Sequence, residues 1–64
     1  MKSRIHIILA ERRMERKELL QGLDMGRTKL WRICTDDGIA KAKLSDLVAI
    51  ANALGCKVDD LFEE

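Results

Sequence analysis

Hydrophobic positions return every three or four residues through most of the chain, the repeat that stacks side chains on one face of a helix. In 4–12, Ile5, Ile8 and Leu9 share such a face, with Arg12 at its edge. Ile7 lies off it, available to a later element. Ser3 stands where an N-cap would, although no Glu or Gln follows three residues on to complete a capping box. Arg12 and Arg13 fall at the helix end, where cations interact favourably with the dipole. A second helix is predicted over 15–22, with Leu19 and Leu20 inward and Met14 packing against Leu19 at the entry. Gly22 keeps that helix short. The run G-L-D-M-G at 22–26 turns the chain, and Asp24 is a residue that tolerates the left-handed conformation. A third helix starts at Asp24 or Gly26, runs to about Cys34, and turns Met25, Leu30 and Ile33 inward.

The stretch 35–43, TDDGIAKAK, reads as a loop with a turn at 36–38, in which Asp36 and Asp37 are solvated. It holds no phosphate-binding pattern and no calcium-loop spacing. The strongest helical signal comes next, over 44–54. Leu44, Leu47, Val48, Ala51 and Leu54 recur at intervals of 3, 1, 3 and 3, and Ile50 and Ala53 widen the apolar side. Gly55 ends the pattern. A helix apolar on several sides belongs at the centre of the domain. Asp59 is placed to cap a final short helix, and Leu61 and Phe62 then close the core or supply a contact to a second copy.

The 64 residues make one domain, 1–64, near the lower size limit for folding alone. With one Trp, one Phe and no Tyr, its core must be built from Leu, Ile, Val, Ala and Met. No apolar run approaches the length of a membrane span. The segment IHIILA is too short for a secretory signal and runs straight into Glu11, Arg12 and Arg13, so a cytoplasmic location is expected, without a membrane partner. Cys34 and Cys56 lack the paired spacing of a zinc or redox site and read as reduced thiols. His6 has no partner nearby in sequence. No nucleophile–base set, paired carboxylate site or metal-ligand spacing is assembled, which argues against an enzyme and against a cofactor, a metal or a small-molecule ligand.

The net charge of +1 conceals a division. Residues 1–32 hold nine Lys or Arg against four Asp or Glu, and residues 33–64 hold three against seven. A basic half can attract a polyanion even when the total is near zero. The predicted third helix sharpens the point. Arg27 and Trp31 share a face, with Thr28 and Arg32 beside it and no carboxylate. A solvated helix face ordinarily mixes signs.

The segments ILAERRM, KELL and LSDLVAIANALGCKVDDLF, with Arg16, Leu20, Asp24, Met25, Leu30 and Ile33 between them, resemble the helix-turn-helix domain of phage Cro and repressor proteins and of many small bacterial regulators. The resemblance covers nearly the whole chain. It implies an all-α, compact five-helix repressor-like DNA-binding domain. The chain departs from the family at five positions: Arg16 stands where Gln is common, Leu20 where Ala is usual, Asp24 and Arg13 where Gly is usual, and Gly26 where Ser or Thr often caps the recognition helix. Leu20 implies a wider or shifted helix crossing, and Arg13 a strained helix end.

The resemblance makes the helix around 26–34 the major-groove reader of a sequence-specific duplex DNA-binding transcriptional regulator, expected to repress. Arg27, Thr28 and Trp31 are the candidate base contacts. Arg16, Lys17, Lys29 and Arg32 are the candidate phosphate contacts, to which Arg12 and Arg13 add attraction. So small a module implies a homodimer on two half-sites, with Ile39, Val58, Leu61 and Phe62 as candidate dimer contacts. With almost nothing outside the DNA-binding core, regulation is expected to come from abundance, oligomerisation or another protein. The competing expectation is a helical adaptor or antirepressor that uses the same fold to bind protein, with Trp31 under the partner.

Overall fold

A computed structural model describes all 64 residues. Helix α1 spans Ile5–Glu11, α2 Arg16–Gln21, α3 Arg27–Ile33, α4 Asp36–Ala40 and α5 Leu44–Leu54. A 3-10 turn, Val58–Leu61, follows α5. Two short strands, β1 (Lys2–Ser3) and β2 (Phe62–Glu63), pair antiparallel and bring the chain ends together, with Lys2 opposite Glu63 and Ser3 opposite Phe62. The first three helices bury residues on the faces that their apolar spacing marks, and α5 buries part of its predicted apolar side.

The core draws on every helix. Ile5, Ile8 and Leu9 come from α1, Leu19 from α2, Leu30 and Ile33 from α3, Ile39 from α4, Leu47, Ile50, Ala51 and Leu54 from α5, and Leu61 from the 3-10 turn. Helix α5 is therefore central on one side only. Leu44 is 68% exposed and Val48 40%, against the expectation that both would be covered. The buried stripe runs through 47, 50, 51 and 54, which places 44 and 48 on its shoulder, where no other element lies over them.

Two helices stop in the same way. After α1 the Arg13 N–H donates to the Ala10 carbonyl and the Met14 N–H to the Leu9 carbonyl, a Schellman pattern. After α5 the Gly55 and Cys56 N–H groups make the matching bonds to Asn52 and Ala51. The left-handed residue is Gly55 (φ 70) in one case and Arg13 (φ 52) in the other. Asp24 does not adopt that conformation, and the turn between α2 and α3 is made entirely at negative φ.

The segment 35–43 is not simply a loop. It contains α4, which Thr35 initiates by accepting the Gly38 N–H on its hydroxyl at 3.0 Å. The same hydroxyl donates to the Arg32 carbonyl at 2.6 Å and so joins the end of α3 to the start of α4. Gly38 is required by the approach it permits. A Cβ there would collide with the Arg32 carbonyl group. Asp36 is also no free turn residue, because its carboxylate accepts the Ser3 N–H at 2.8 Å and occupies the outer edge of β1. Ser3 itself is buried in β1, and Arg4 takes the N-cap position of α1. At the other end Lys57, not Asp59, precedes the 3-10 turn, and its N–H is accepted by the Asp60 carboxylate at 3.0 Å.

These placements correct two candidate dimer contacts. Ile39 is 2% exposed and Leu61 is fully buried. Each has its surface covered within the chain, and neither is available to a second copy. Val58 and Phe62 are half-buried and pack against the core from outside.

Candidate nucleic-acid interface

Helix α3 is held by Leu30 and Ile33 on its inner face, so Arg27 and Thr28 in its first turn stand exposed on the outer one. Gly26 precedes it in an extended conformation and provides no side-chain cap. A helix with its side chains is about 10–12 Å across, which matches a major groove about 12 Å wide.

On one side of α3 an open groove of about 600 Å³ runs beneath the start of α2. Leu9, Ala10, Met14, Trp31 and Cys34 provide its apolar wall, and Arg16 and Lys17 its basic rim. Trp31 is half-buried against the core, and its ring is partly occupied, because the Arg16 guanidinium carbon lies 4.9 Å from the ring centroid. That distance is within the range of a cation–π contact. Glu18, inside α2, accepts the Glu15 N–H at 3.2 Å and fixes the entry to the helix from which Arg16 and Lys17 project. Burial raises the Cys34 thiol above its ordinary pKa, while the positive charge of Arg16 pulls it the other way.

On the other side a smaller hollow of about 270 Å³ lies between α3 and the segment leading into α5. Four cations border it: Lys29, Arg32, Lys41 and Lys43. Its one carboxylate, Asp46, is already engaged. Lys29 Nζ lies 3.0 Å from Asp46 Oδ2, and the Asp46 side chain is only 17% exposed. Lys29 thus ties α3 to α5 and is the least free of the four candidate phosphate contacts. Arg32 remains exposed. Lys41 and Lys43 were not singled out by sequence reading, which placed them in a bare loop. The alternation K-A-K at 41–43, directly after a short helix, was the available signal.

Arg16, Lys17 and Trp31 are thus brought together on one flank, Arg32 and Lys29 on the other, and Arg27 and Thr28 stand between. Arg12 and Arg13 are exposed at the end of α1. The acidic residues Asp59, Asp60, Glu63 and Glu64 are collected in the 3-10 turn and the chain end, where Arg4 comes within 3.9 Å of Glu63. No helix is long and apolar enough to cross a membrane.

No curated protein and no solved structure matches the chain. A family model, however, matches residues 4–63, from the N-cap of α1 to the end of β2. With two short helices joined by a turn, an exposed basic face on the second, and nearly the whole chain covered by that match, the protein belongs to the family of Cro/C1-type HTH DNA-binding domains.

Proposed function

We propose that the protein is a sequence-specific transcriptional regulator that acts as a repressor by inserting α3 into the major groove of duplex DNA. The observation that carries this reading is the arrangement of charge about α3. Its outer face offers Arg27 and Thr28, with basic groups on both flanks, and Asp46, the carboxylate in the hollow bordered by Lys29, Arg32, Lys41 and Lys43, is already paired to Lys29. Arg27 reads a base, since its fork matches guanine O6 and N7, and Thr28 bonds to a base edge or a phosphate. Arg16 and Lys17 grip the phosphates of one strand. Arg32, with Lys41 and Lys43, grips those across the groove. One such module reaches few bases, so two copies act together on half-sites about 34–36 Å apart. The protein is read as a homodimer on that ground, and Val58 and Phe62 are the proposed dimer residues that keep some exposure.

The test is a titration of duplex DNA at several salt concentrations, alongside selection from random sequence. Arg27→Ala should lose about 1–3 kcal/mol of discrimination at one base position. Arg16→Ala should weaken all sequences evenly and lower the salt slope by about 1. Binding unchanged in both variants would refute the docking. The apolar groove beside Trp31 favours one other reading, a protein-binding adaptor, in which Arg16 and Arg27 are dispensable and Trp31 is covered by the partner.

A further inference from the structure

We infer that Trp31 is a positioning residue for Arg16: its indole holds the guanidinium by the face, leaves the N–H edges free for a DNA phosphate, and so ties the phosphate grip of α2 to the base-reading helix α3. The inference rests on the DNA-binding reading above. The geometry behind it is the 4.9 Å separation between the Arg16 guanidinium carbon and the Trp31 ring centroid.

The way Arg16 is held matters. The ion pairs of the structure are Arg4 with Glu63 and Lys29 with Asp46, so no carboxylate engages Arg16. A carboxylate would hold a guanidinium through the same in-plane N–H groups that a phosphate needs. An aromatic ring holds it through its π face and spends none of the five donors. Trp31 is itself a firm support, being half-buried and packed against the core. Arg16 extends from the first residue of α2, and Trp31 belongs to α3. The stack therefore spans the two helices of the motif and sets the phosphate contact at a fixed offset from Arg27, one turn before Trp31 on the same face. A freely rotating Arg16 would have to be ordered during binding. Ordering a long side chain weakens affinity by about two- to tenfold.

The experiment is a double-mutant cycle of DNA affinity on the site enriched by selection, using Trp31→Leu, Trp31→Phe, Arg16→Ala and the Trp31→Leu/Arg16→Ala double variant, each first shown to be folded by its thermal melt. Trp31→Leu should weaken binding about two- to tenfold without altering the salt slope, because the charge is still present. Trp31→Phe should restore most of that loss. In the Arg16→Ala background, Trp31→Leu should change affinity less than twofold. Arg16→Lys, which keeps the charge but lacks the planar fork, should weaken binding as Trp31→Leu does and carries the test if Trp31→Leu fails to fold. Losses that multiply in the double variant would overturn the inference, since Trp31 would then act without Arg16. Absence of duplex binding by the unmutated protein at low salt would remove the DNA reading and the inference with it. Normal parental binding with multiplying losses would remove the inference alone.

Discussion

Replacing Gly38 with Ala should destabilise the domain, although Ala is the better helix former. On propensity alone the change would stabilise α4 by about 1 kcal/mol. The structure reverses the sign. The added Cβ would run into the Arg32 carbonyl group and lie 2.8 Å from the Thr35 hydroxyl oxygen. Neither neighbour can retreat freely. The Arg32 oxygen accepts both the Thr35 N–H at 3.1 Å and the Thr35 hydroxyl at 2.6 Å, and that hydroxyl in turn caps Gly38. Relief requires α4 to move, and α4 carries the buried Ile39 and the Asp36 carboxylate that holds Ser3. Overpacking costs about 1–3 kcal/mol and loss of the Thr35 cap about 1 more. After the propensity gain, a net loss of about 1–3 kcal/mol remains. A chain of this length is stable by only about 3–10 kcal/mol. The loss should appear in urea denaturation followed by circular dichroism, and as a Tm lower by about 4–24 °C. Gly22→Ala is the control. At φ −89 any residue is comfortable, and the new Cβ would meet only the Leu19 carbonyl at an ordinary 3.6 Å. That variant should be neutral or up to about 1 kcal/mol more stable. If Gly38→Ala proves as stable as the parent, or if Gly22→Ala suffers equally, α4 does not sit against α3 in this way.

Arg13→Gly should stabilise the protein. A left-handed L residue costs about 1–2 kcal/mol, and the greater freedom of Gly when unfolded returns about 0.4–1, leaving a gain of about 0.5–1 kcal/mol in chemical denaturation; Gly55→Ala, at the equivalent position after α5, should move stability the opposite way. Cys34 should make stability fall in alkali. Its folded pKa is raised by burial, so the unfolded chain loses the thiol proton first; the contribution is whole below the unfolded pKa and is lost as pH rises through the folded one. Stability curves measured from pH 7 to 10 should therefore slope less for Cys34→Ala than for the parent, and equal slopes would contradict the burial.

Periodicity marked the inward faces of α1, α2 and α3 because Ile5, Ile8, Leu9, Leu19, Leu30 and Ile33 pack at the same spacing that local helix geometry imposes. The strained stop at Arg13 was legible through the family resemblance, as a residue standing where glycine is usual. The basic face of α3 was legible from helical spacing alone, since Arg27, Thr28 and Arg32 need only one helix to be placed together. Helix α4 escaped notice because five residues are too few to establish a period, although Thr35 followed by Asp36 and Asp37 is a cap with an acidic first turn. The exposure of Leu44 and Val48 could not be read at all. An apolar face is covered or bare according to what lies beyond it, and that is set by other elements.

Local order along the chain was thus determined by the sequence itself: where helices run, which face of each is apolar, and where cations collect. Tertiary structure alone decided what those faces meet. It closed the chain ends into a strand pair whose residues lie some sixty positions apart, took Ile39 and Leu61 into the core, and engaged Lys29 with Asp46. It also laid Arg16 across Trp31 and, through the missing side chain of Gly38, brought Lys41 and Lys43 beside Arg32. The physical reason is one of range. Helical periodicity follows from bonds between residues four apart, whereas these contacts exist only after separate helices have buried their apolar faces against one another.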